Sequence, residues 1–196
     1  MTSAVNVSFL KSPRGLDAAI VGCGLLTGFL TPLILNYIDS LDYPRGFSGS
    51  HGVALAISAV PYGLLIAVIA RIAAEAGWLR AGALGLATLV AASVAITLSA
   101  NTNAALDNIA EPGRELIGGP VGGVIGSGLM ALAAVLLRIG PRNPARWLPM
   151  VLVGTVLGAV LALDVWLHSE NVWVLFPVWQ ASVALVFLRT LQNAKS

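Results

Sequence analysis

The chain has 196 residues, 57% of them hydrophobic and only 10% charged, with a net charge of +2. A soluble domain carries about a quarter charged residues, so this composition points to a polytopic membrane protein and leaves no room for a soluble domain of ordinary size (roughly 50 residues or more). The basic residues stand beside apolar segments, which excludes nucleic acid as a partner in favour of the lipid bilayer. The single cysteine, Cys23, excludes an intrachain disulfide or a CxxC site and reads as a buried thiol.

Residues 1–15 form a cytoplasmic tail with Lys11 and Arg14 ahead of an apolar run. They look like the start of a signal peptide. The run is too long for one, however, and no small-residue cleavage site follows it before Asp39, so a first uncleaved span is expected over 16–38. Gly24 and Gly28 share one face of it, and Pro32 predicts a kink. After a turn-rich loop at 39–51, span 2 covers 52–74 with Pro61 near its middle. Arg71 and Glu75 at its far end are spaced for a local ion pair. Trp78 in the turn beyond suits a membrane interface. Span 3 is 81–100 and is rich in alanine and leucine.

Span 4 is the uncharged run 116–137, long enough to cross a bilayer core as a helix. Gly118, Gly122 and Gly126 recur every fourth residue and so lie on one face, with Gly119 and Gly123 one residue round. A face without side chains lets another helix backbone approach, which in lipid replaces much of the missing hydrophobic drive. Span 5, 148–167, repeats the spacing with Gly154, Gly158 and Ala162. Spans 4 and 5 are therefore expected to pack antiparallel, with span 1 beside them in a small-residue core. Span 6, 172–188, holds Pro177 and Gln180, and the proline frees the carbonyl of Trp173. The bundle extends over 16–190 and a cytoplasmic tail follows at 191–196. The fold class is all-α, with six transmembrane helices.

Loop charges orient the bundle. Lys11, Arg14, Arg71, Arg80, Arg138, Arg142, Arg146, Arg189 and Lys195 fall on one side, nine of eleven basic residues. That side, with both termini, is assigned to the cytoplasm of a bacterial-type inner membrane. The opposite face gathers Asp39, Asp42, Asp107, Glu111, Glu115, Asp164 and Glu170, together with His51 and His168. An acidic outer face can concentrate cations or a basic solute.

Three residues are candidates for substrate binding. Asp164 and His168 are one helical turn apart near the outer end of span 5, and an ionisable group within a span is a functional candidate because burying it is costly. A capping or interfacial pair is the plainer reading. Gln180 lies inside span 6, where its amide must find a helix partner or line a wet cavity. Ser58, Ser93, Thr97 and Ser127 can each bond their own helix and identify nothing alone. No metal or cofactor is expected.

Asn143-Pro144-Ala145-Arg146 matches an aquaporin signature, but it occurs once and in an arginine-rich turn. Ser127 in a glycine span suggests a rhomboid protease, but position 125 is isoleucine and span 6 has no histidine to act as base. In size, span number and terminal placement the chain resembles the substrate-binding subunits of energy-coupling-factor vitamin transporters. That likeness is one of layout and implies outer loops capping a ligand. The expected function is a small transporter or solute-binding membrane component with an outward-facing site. The alternative is a non-catalytic subunit that docks, as a homo-oligomer or on a membrane partner, through its glycine faces. An enzyme is the least favoured class.

Overall fold

The computed structural model of the chain describes residues 12–40, 50–167 and 172–194. All regular elements among these are helical. They are α1 (Pro13–Ser40), α2 (Ser50–Ser58), α3 (Val60–Ala73), α4 (Trp78–Ala105), α5 (Glu115–Leu136), α6 (Leu148–Gly158), α7 (Leu161–Trp166) and α8 (Leu175–Gln192), with a 3-10 turn at Pro144–Trp147 leading into α6. Four stretches are long and apolar enough to cross a membrane: Arg14–Ile38, Trp78–Ala105, Glu115–Leu136 and Pro144–Trp166. Val60–Ala73 is apolar but shorter.

Several predicted spans are broken, each for a local reason. The second one divides at Ala59, and Pro61 takes the first turn of α3, where a missing N–H costs nothing. The fifth turns at 159–160 between α6 and α7. The sixth starts later than its hydropathy indicates, at Leu175, so Pro177 sits in the opening turn of α8 and Trp173 lies before the helix. Trp173 therefore contributes no carbonyl to α8 for Pro177 to free. Helix α3 likewise ends at Ala73, and Glu75 adopts φ +52°, so the anticipated helical register between Arg71 and Glu75 does not exist. Arg71 lies over the Trp78 ring, 5.3 Å from its centroid.

Neighbouring helices run antiparallel along seams of small residues. On α5, Gly118, Gly122 and Gly126 face Asn103, Ser99 and Ala95 of α4, while Gly119 and Gly123 face Gly158 and Gly154 of α6. Gly63 of α3 meets Gly85 of α4. Gly24 and Gly28 of α1 meet Ala181 and Pro177 of α8. The first span's small face is thus used on the last helix, which corrects its expected place beside spans 4 and 5. Outward faces carry Leu26, Leu64, Leu86, Leu132 and Val156, all exposed. Cys23 is exposed as well, so it is no core thiol.

Large side chains fill the half of the bundle nearest the start of α1 and the end of α8. Ile69, Ile139, Trp147, Met150, Phe187 and Leu191 belong to one buried cluster there. Trp147 stacks on Phe187 with centroids 5.6 Å apart, and its indole N–H donates to the Pro141 carbonyl at 3.0 Å. Arg189 pairs with Asp17 at the same end.

Candidate functional site

The other half of the bundle is hollow. Helix α4 presents Thr88, Ala92, Ala95, Ile96, Ser99 and Asn103 along one face, a length of about 22 Å at 1.5 Å per residue. Gly119, Gly122, Gly123 and Gly126 of α5 lie beside it, Phe176, Trp179 and Gln180 come from α8, and Tyr62 and Thr31 come from α3 and α1. Residues as small as alanine and glycine cannot fill the space between these helices. They leave a cavity of about 310 Å³, at the lower end of the range for small-molecule sites.

The aromatic wall is held in place. The Trp179 indole N–H donates to the Gly154 carbonyl at 2.9 Å, and Tyr62 meets Trp179 edge to face with centroids 6.0 Å apart. Most hydroxyls along the cavity are spent on their own helices. Ser58 donates to Leu55, Thr88 to Leu84 and Thr31 to Thr27, at 2.8, 2.9 and 3.0 Å. Ser93, Thr97 and Ser127 do the same with the carbonyl four residues back, as their sequence context indicates.

Gln180 is 4% exposed and bridges two helices, its Nε2 donating to Thr31 Oγ1 at 2.9 Å. Its Oε1 has no hydrogen-bond partner, nor has Tyr62 Oη or Asn103 Oδ1. A buried polar atom left unpaired is unfavourable by about 1–3 kcal/mol. Three such atoms, all on residues that line one cavity, set it apart from an ordinary packing void. None of the described lining residues is charged.

Asp164 stands elsewhere. It is 1% exposed, and its two carboxylate oxygens accept from the backbone N–H groups of Val174 and Leu175 at 2.9 and 2.7 Å. It therefore caps the start of α8, whose positive dipole end favours a carboxylate, and it does not line the cavity. His168 lies outside the described residues, as do Asp42 and Glu170. Glu115 is buried at the start of α5 and accepts from Arg114 Nε at 2.8 Å. Of the two candidates among the described residues, Gln180 reaches the cavity and Asp164 does not. Gly118 packs on Asn103, while Gly122 and Gly126 line the cavity and Gly154 and Gly158 hold α6 against α5.

Tyr62, Trp179 and Asn103 were not singled out by sequence. The signal for the first two was present, since a phenol or indole within an apolar helix must place its polar edge somewhere. No protein-family model, no curated protein and no solved structure matches this chain. The likeness in layout to vitamin-transporter subunits gains no support from them.

Proposed function

We propose that the chain is a six-span integral membrane protein that binds a small solute within its helix bundle and serves its transport. Both termini face the cytoplasm and the cavity faces outward. The carrying observation is the inward turn of the Gly122 and Gly126 face onto a 310 Å³ cavity lined by Gln180. A docking subunit would have a solid interior and would turn that face to lipid. Here the glycine faces of α1, α5 and α6 are occupied by helices of the same chain. The orientation follows from the arginines, and the cavity lies in the half away from the Arg189–Asp17 pair. Among the described residues the lining carries no charge, which argues against the cation or basic solute that the acidic outer loops suggest.

The test is ligand-dependent thermal stability of the purified protein in lipid nanodiscs, screened against pooled small solutes, with uptake of any hit into proteoliposomes. A binding solute raises the melting temperature saturably, and the cavity-filling change Ala92→Phe abolishes the shift. If no solute shifts the melting temperature and Ala92→Phe simply stabilises the protein, the hollow is a packing void and the reading fails.

A further inference from the structure

We infer that the cavity is built for a small, flat, uncharged molecule carrying a hydrogen-bond donor and an acceptor together, as in an amide or lactam, read by Gln180 and Tyr62. This inference rests on the solute-binding reading above and adds the chemical class.

Charge is the first discriminator. The described lining offers no ionic partner, and an unpaired ion taken from water into such surroundings pays several kcal/mol. An uncharged ligand avoids that penalty. Shape is the second. Gly119, Gly122 and Gly123 give a wall of bare backbone, and Phe176 and Trp179 give aromatic surface. Trp179 is locked by its bond to Gly154, so the aromatic wall is preformed. Flat rings pack on such surfaces by stacking or edge contact.

The polar atoms are the third discriminator. The Thr31 hydroxyl gives its proton to the Thr27 carbonyl at 3.0 Å. It can then only accept from Gln180, which fixes the amide with Nε2 toward Thr31 and leaves Oε1 unpartnered. A carboxamide oxygen only accepts, so it requires a ligand N–H or O–H. Tyr62 is only 2% exposed, and its buried Oη also lacks a partner. It can donate to a ligand carbonyl. Both oxygens are covered in this conformation, so the ligand gains them by side-chain rotation. A lipid acyl chain would leave both unpaired.

The probes are benzamide and 2-pyridone, compared with benzoate and ethylbenzene, on the full chain in nanodiscs, read by melting temperature and calorimetric titration. We expect saturable binding of the two amides and none of benzoate. Tyr62→Phe removes one oxygen while keeping the ring. It should weaken amide binding about tenfold and leave the unliganded melting temperature equal or higher. Gln180→Leu should abolish binding. If ethylbenzene binds as well as benzamide and Tyr62→Phe changes nothing, or if a lipid co-purifies with the wild type but not with Ala92→Phe, the amide class is wrong although the cavity still binds. If no probe binds and Ala92→Phe only stabilises, both the class and the binding reading fall.

Discussion

The indole nitrogen of Trp179 donates to the carbonyl of Gly154 across 2.9 Å, and the same carbonyl is where Gly123 comes closest to α6. One backbone oxygen thus joins α5, α6 and α8 and sets the width of the cavity beside them. A methyl group at Gly123 would overlap that carbonyl, with Thr155 Cα also 3.0 Å away, whereas one at Gly122 meets first the Ser99 Cβ at 3.0 Å. Gly123→Ala should therefore lower stability by about 2 kcal/mol. Gly122→Ala should be close to neutral, because alanine regains up to about 1 kcal/mol in helix propensity. Thermal unfolding in detergent distinguishes them, and equal losses would contradict the seam described here.

Asp164 anchors a helix ten residues further along the chain. Asp164→Ala leaves two half-buried N–H groups without their acceptors and should destabilise by about 1–3 kcal/mol. Asp164→Asn keeps one acceptor and should lose about half as much. Solute binding, once a ligand is in hand, should survive in Asp164→Asn at temperatures where it is folded. Loss of binding from a fully folded Asp164→Asn protein would restore this residue to the site.

Trp147 ties the turn before α6 to α8 through its bond to Pro141 and its stacking on Phe187. It is 2% exposed. Trp147→Ala should cost about 3–5 kcal/mol, and Trp147→Phe, which keeps the ring contact, about 1 kcal/mol. Urea or thermal unfolding of the two variants gives the ratio directly. A Trp147→Phe loss as large as that of alanine would mean the hydrogen bond outweighs the packing.

Orientation is accessible through thiol labelling in intact cells. With Cys23→Ser as background, Asp107→Cys should react with a membrane-impermeant reagent added outside, and Arg142→Cys should react only after permeabilisation. The reverse pattern would invert the bundle and place the cavity toward the cytoplasm.

Much of the chain's organisation is local and legible in its sequence. Lipid offers backbone groups no hydrogen-bond partner, so an apolar run must become helix; run length picks out α1, α4 and α5, and four-residue glycine spacing picks out the packing faces of α1 and α5. Ser93 of α4 and Ser127 of α5 also bond where sequence places them, because their acceptors lie four residues back in the same helix. Hydropathy alone misjudged the breaks at Ala59 and 159–160 and the start of α8, since chain turns and capping partners weigh there as much as apolarity.

Sequence by itself determined a helical, lipid-compatible chain with one strongly basic set of ends and inward-capable glycine faces. Only the tertiary structure decided which neighbour each face meets, that Asp164 holds the start of α8, and that Gln180 reaches Thr31 across 149 residues. The reason is the range of the interactions. Helix formation and small-residue spacing act within a few turns, whereas a cavity is the space left when several helices meet, and no single stretch of sequence contains it.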